Sequence, residues 1–110
     1  MANITVLDVG SFPRALRSAE GQAVIYFSAS WCQPCQDMTP VFTELVRRID
    51  GSGVVYGTVD MAQSPTIAQS YGIRSVPSIA VFQQGQLVEV IPGKVTIDDA
   101  VARVQQSLAL

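Results

Sequence analysis

Five consecutive apolar or aromatic residues, Ala23-Val24-Ile25-Tyr26-Phe27, leave no polar face. A run that short with no solvent side predicts a strand buried at the centre of a sheet covered on both faces. The stretch after it is equally directive. Met38, Val41, Phe42, Leu45, Val46 and Ile49 recur at intervals of three and four, which predicts an amphipathic helix reaching back through Pro34 to Cys32. Pro34 suits a first turn, where its missing N–H is not needed and its fixed φ is already helical. Pro40 falls inside the periodic stretch and predicts a bend rather than an end, because the apolar pattern resumes at Val41.

The junction between strand and helix is Ser28-Ala29-Ser30-Trp31-Cys32-Gln33-Pro34-Cys35, and it holds the only two cysteines of the chain. A thiolate on Cys32 would face the free N–H groups and positive dipole end of the helix, which lowers its pKa and makes it a nucleophile. Cys35, one turn deeper, is placed to attack a mixed disulfide formed by Cys32, releasing the reduced substrate and leaving Cys32–Cys35 oxidised. The pair therefore reads as a redox dithiol. A zinc site needs four ligands, and with no histidine and no further cysteine this chain lacks a set of its own. A purely structural disulfide across so short a loop would staple nothing that the helix does not already hold. A non-catalytic pair and an iron–sulfur dimer stay open as alternatives.

The remaining elements have local signals of their own. Ile4 to Leu7 reads as a first strand, and Ser11 as the N-cap of a helix with Pro13 in its first turn, stopped by Gly21. Gly51-Ser52-Gly53 ends the long helix, and Val54 to Val59, closed by Asp60, is the next strand. Ser64-Pro65 reads as an N-cap and first helical residue, with Gly72 capping the far end. Ser78 to Phe82 and Leu87 to Ile91 flank the hairpin connection Gln83-Gln84-Gly85-Gln86. Gly93 breaks the second of these strands. Thr96 N-caps a last helix with Asp98 and Asp99 in its first turn and Ile97, Ala100, Val101, Val104 and Leu108 on one face. This order predicts an α/β fold: βαβ crossovers followed by a hairpin, hence a mixed sheet with helices on both faces.

Length and charge set the class. At 110 residues, 48% hydrophobic and 15% charged, residues 1–110 are expected to form one domain with a real core and no room for a second. Net charge is −2 and the seven basic residues are scattered, which argues against a nucleic-acid surface. No run approaches membrane-spanning length, and Ala2-Asn3-Ile4-Thr5 carries neither a basic nor a long apolar leader. With only one cysteine pair, the reducing cytoplasm is the expected compartment.

This order, with Trp31-Cys32-Gln33-Pro34-Cys35, Tyr71-Gly72-Ile73-Arg74 and Val76-Pro77, closely resembles the thioredoxin family along nearly the whole chain. The resemblance implies a central mixed sheet, a CxxC at the start of the second helix, and a cis-proline opposite it. Carried over by position, Cys32 is the attacking cysteine, Cys35 the resolving one and Trp31 the flanking indole. Gln33 and Pro34 belong to the substrate-facing surface. Pro77 is the cis-proline, Val76 the residue whose backbone pairs with an extended substrate, and Gly93 the glycine completing the groove. Alone, Val76-Pro77 would read as an ordinary turn before a strand, and Trp31 as core; beside the thiols both take the functional reading.

Two positions depart from the family as a pair. Tyr26 stands where thioredoxins carry a buried aspartate, and Tyr56 where they commonly carry a lysine. Losing both charges together is chemically coherent, since either left alone in the interior would be costly. Gln33 replaces a usual glycine. The function implied is protein disulfide exchange, in the reductase direction, by a monomer with no bound cofactor, drawing electrons from a thioredoxin reductase-like partner and acting on protein disulfides. The alternative is a thioredoxin-fold binding module or chaperone with slow thiols.

Overall fold

A computed structural model describes residues 3–18, 22–49 and 53–110. The elements are β1 (Ile4–Val6), α1 (Phe12–Ser18), β2 (Ala23–Ser28), α2 (Gln33–Ile49), β3 (Val55–Asp60), α3 (Pro65–Ser70), β4 (Ser78–Gln83), β5 (Gln86–Pro92) and α4 (Ile97–Leu108). The stops expected at Gly21, Gly51 and Ser52 lie outside the described residues. The strands form one sheet in the order β1-β3-β2-β4-β5. β1, β3 and β2 run parallel, while β4 is antiparallel to both β2 and β5.

The all-apolar run is the middle strand: no residue from Ala23 to Phe27 is more than 2% exposed. Its alternate side chains serve two cores. Val24 and Tyr26 join Met38, Phe42, Leu45, Val46 and Ile49 of α2 and Ala100, Val104 and Leu108 of α4. Ala23, Ile25 and Phe27 join Phe12 and Leu16 of α1 and Ile67 and Ala68 of α3. A strand with no polar face is thus buried by a helix pair on each side. Val41 and Ile97, expected on the apolar faces, lie at their edges and are half-buried. No helix among the described residues is long and apolar enough to cross a membrane.

Two caps differ from expectation. Ser11 does not cap α1 by itself: Asp8 Oδ1 accepts from the Ser11 N–H (2.9 Å) and Ser11 Oγ accepts from the Asp8 N–H (3.0 Å). This is a reciprocal capping box in which Asp8, three residues earlier, holds the capping position. Ser64 precedes Pro65 as expected but makes no side-chain cap bond. At the other end of α3 the expected glycine cap is present, with Gly72 at φ 69° and the N–H groups of Gly72 and Ile73 donating to Gln69 and Ala68. Thr96 Oγ1 accepts from the Asp99 N–H at 3.1 Å and caps α4 as expected. In the β4–β5 hairpin the tip is two residues long, Gln84 and Gly85, both at positive φ (54° and 75°).

Two measurable consequences arise here. Gly57 of β3 lies between Thr5 and Ile25, and a Cβ there would stand 2.5 Å from Cδ1 of buried Leu7 and 3.1 Å from the Thr5 carbonyl. Gly57→Ala should therefore lower stability by about 1–3 kcal/mol through overpacking, read as a lower denaturant midpoint at unchanged slope. On the surface of α2, Arg47 and Arg48 grip the Glu44 carboxylate and pull its pKa from 4.5 to about 2. A depressed carboxylate contributes stability above its unfolded pKa and loses it as pH falls through the folded one. The midpoint difference between the wild type and Glu44→Gln should accordingly shrink from about pH 5 to about pH 2, and shrink also with added salt.

Candidate active site

The first helical residue is Gln33, so Cys32 sits one position outside α2 rather than within it. Its N–H donates to the Ala29 carbonyl (3.1 Å), and its Sγ accepts the Cys35 N–H (3.2 Å). Sulfur here does what a serine or aspartate oxygen does at an N-cap, accepting from the third helical residue. Pro34, the second, has no N–H to offer. Cys32 and Cys35 are joined as a disulfide with Cα atoms 5.3 Å apart. In this oxidised state the two cysteines differ little in accessibility, at 5% for Cys32 and 3% for Cys35. The capping residue and the third helical residue, both packed with Ala29 and Val76, are covered alike.

The residues expected around the thiols fall into two groups. Trp31 is 71% exposed, which removes the core reading, and Gln33 and Pro34 are exposed beside it. The Gln33 amide donates to Gln36 Oε1 at 3.4 Å, so two amide side chains flank the disulfide. Opposite them, Val76 packs against Ala29, Cys32 and Cys35, and the Val76–Pro77 peptide is cis. The Gly93 N–H donates to the Pro77 carbonyl (2.8 Å). Gly93 adopts φ 75°, and a Cβ there would meet nothing within 4 Å, so this glycine answers to backbone conformation and not to crowding.

Several supports were not apparent from the sequence. Ser78 Oγ donates to the Ser75 carbonyl (2.8 Å) and pins the turn before β4. The Lys94–Asp37 ion pair (3.0 Å) ties the loop after β5 to α2. Thr39 Oγ1 donates to the Cys35 carbonyl (2.9 Å). A threonine four residues after Cys35 on a helix was signal enough for that last bond, since such hydroxyls commonly bond back by one turn.

Behind the disulfide lies Tyr26, 2% exposed and stacked on Phe42 with ring centroids 5.2 Å apart. Its phenol donates to the Cys35 carbonyl at 2.8 Å and lies 3.4 Å from Thr39 Oγ1. Burial pushes its pKa above 10, partly countered by the Thr39 contact, so the phenol is neutral at physiological pH. Tyr56 of β3 lies in the same buried cluster.

The thioredoxin family profile matches residues 3–106. The chain belongs to the thioredoxin family. It is 32% identical over 85 residues to Thioredoxin 1 of a Nostoc species, a match that spans 77% of this chain and 78% of that relative. It is 33% identical over 92 residues to chloroplastic Thioredoxin M5 of Oryza sativa, covering 84% of this chain and 53% of the relative. Among solved structures, the thioredoxin of Malassezia sympodialis superposes with a TM-score of 0.85 at 28% identity, over 97% of this chain and 92% of that one. Human ERp44 in its zinc-bound form gives 0.81 at 28% identity, over 94% of this chain and 31% of the other. Together with the Cys32–Cys35 disulfide, membership makes this thioredoxin-family protein a protein thiol-disulfide oxidoreductase, with a thioredoxin reductase and disulfide substrates as the partners that the family implies in general.

Proposed function

We propose that this protein works as a reductase of protein disulfides, with Cys32 as nucleophile and Cys35 as resolving thiol. The observation that carries the assignment is the Cys35 N–H aimed at Cys32 Sγ at the open end of α2. A thiolate on Cys32 gains that donor and the helix dipole, whereas Cys35, inside the first turn, has no equivalent position. Cys32 attacks a substrate disulfide and displaces one substrate thiolate. Cys35 then loses its proton and attacks Cys32 Sγ, displacing the second and closing the disulfide.

The docking surface in this reading is Trp31, Gln33 and Pro34 on one side and Val76, Pro77 and Gly93 on the other. Among the described residues no hydrogen bond engages the Val76 main chain, which leaves its polar groups for an extended substrate to pair with by strand addition. Tyr26 and Tyr56 modulate the rate by replacing buried charge with neutral phenols. Electrons come from a thioredoxin reductase-like enzyme, no further cofactor takes part, and the protein acts as a monomer in the cytoplasm. Equilibration with a glutathione buffer tests the direction. The expected potential is that of a reducing dithiol, about −270 mV, whereas a value near that of a strong oxidant, about −120 mV, overturns the reductase reading. Absence of turnover on a protein disulfide, with the groove still binding extended chains, would favour the binding-module alternative.

A further inference from the structure

Cys35 is held through its main chain on both sides. Its N–H donates to Cys32 Sγ, and its carbonyl accepts from two side-chain hydroxyls, Tyr26 on β2 (2.8 Å) and Thr39 on α2 (2.9 Å). A carbonyl inside a helix is ordinarily satisfied by one N–H four residues on. Two added donors are more than satisfaction requires. One is rigid and comes from outside the helix: the Tyr26 ring is fixed by burial and by stacking on Phe42. The other rides on α2 itself, at an exposed position, with the two oxygens 3.4 Å apart. Tyr26 ties the sulfur-bearing turn of α2 to the central strand, and Thr39 braces that turn from within the helix.

That tie matters most when the disulfide is absent. Once Cys32 carries substrate, no covalent link holds Cys35 beside it, and rate then depends on how closely the free thiol is kept to its attacking position. We propose that Thr39, together with Tyr26, is a positioning residue for Cys35: the two hydroxyls clamp the Cys35 carbonyl so that its Sγ is presented to Cys32 Sγ during resolution. In that step Cys35 releases its proton to solvent and forms a bond to Cys32 Sγ. The bond from Cys32 to the substrate sulfur breaks, and that sulfur leaves as a thiolate. The inference rests on Cys35 being the resolving thiol.

Ellman's reagent separates the two steps in the reduced protein, because attack by Cys32 releases one thionitrobenzoate and resolution by Cys35 releases the second. Thr39→Val should slow the second release about five-fold, the worth of one hydrogen bond, and leave the first unchanged. Thr39→Ser should restore it. Tyr26→Phe should slow it similarly. The double variant should lose more than the product of the single effects, because either hydroxyl alone still holds the same oxygen. Second-phase rates equal to wild type, both phases falling together, no rescue by serine, or strictly multiplicative losses each overturn the clamp. Should Tyr26→Phe fail to fold, the near-isosteric Thr39→Val and its Thr39→Ser partner decide alone. A wild-type protein with no second phase overturns the resolving role itself and the clamp with it, whereas a wild-type second phase untouched by the substitutions overturns the clamp only.

Discussion

Cys35→Ser should leave the protein able to attack a disulfide once and unable to finish, accumulating a mixed disulfide through Cys32. Cys32→Ser should accumulate almost none, and turnover should fall about a thousandfold or more in both, because the two sulfurs act as a unit and neither replaces the other. The asymmetry comes from a single turn of backbone: Cys32 Sγ stands at the open end of α2 with the Cys35 N–H directed at it, while Cys35 lies three residues on, inside the first turn of the helix. Non-reducing gels against a disulfide-bonded protein read the trapped species. Equal trapping by the two variants would remove the asymmetry, and trapping by Cys32→Ser alone would reverse the roles assigned to the thiols.

Tyr26→Asp carries the largest expected loss of stability. It removes a phenol that is 2% exposed, its stacking on Phe42 and its bond to the Cys35 carbonyl, and leaves a cavity holding a carboxyl group. Truncation of a buried aromatic alone costs about 3–5 kcal/mol, and an ionised carboxylate there adds to it. The new group would have a pKa raised by desolvation. A group that binds its proton more tightly when folded makes stability fall as pH rises from the unfolded pKa, near 4 for aspartate, to the folded one. Thermal midpoints should therefore drop across that window in Tyr26→Asp relative to Tyr26→Phe. Tyr26→Phe itself should cost only about 1 kcal/mol, since Thr39 still donates to the Cys35 carbonyl. At pH 7 to 8 the aspartate, as a proton acceptor for Cys35, should speed protein disulfide reduction relative to wild type. A slower variant would mean that holding the Cys35 carbonyl outweighs accepting its proton.

The parts legible in advance were those with local causes. Run length and the lack of a polar face located β2, three-and-four spacing located the buried face of α2, and Gly72, Gly85 and Thr96 marked their turns and cap through conformational needs that a single residue expresses. Capping was less legible where two side chains of the same competence stood close together. Asp8 and Ser11 can each accept from a free N–H, and which one holds the capping position depends on the path of the chain leaving β1. Periodicity extends the helix to Cys32 because it cannot distinguish a residue that caps from one that is helical; only the backbone bonds do.

By itself the sequence determined the order of elements, the central position of Ala23–Phe27 and the presence of a dithiol at a helix start, since each depends on residues within a turn or two of one another. Tertiary structure alone decided what surrounds the sulfurs. Val76 is forty-four residues from Cys32 yet packs on it, because the strand order β1-β3-β2-β4-β5 brings the end of β2 beside the start of β4. The same sheet presents Tyr26 to α2 from beneath, so that its phenol and the Thr39 hydroxyl meet on one carbonyl. Such contacts join segments whose local sequences carry no mark of each other, and they form only once the burial of two apolar faces has fixed how α2 lies on the sheet.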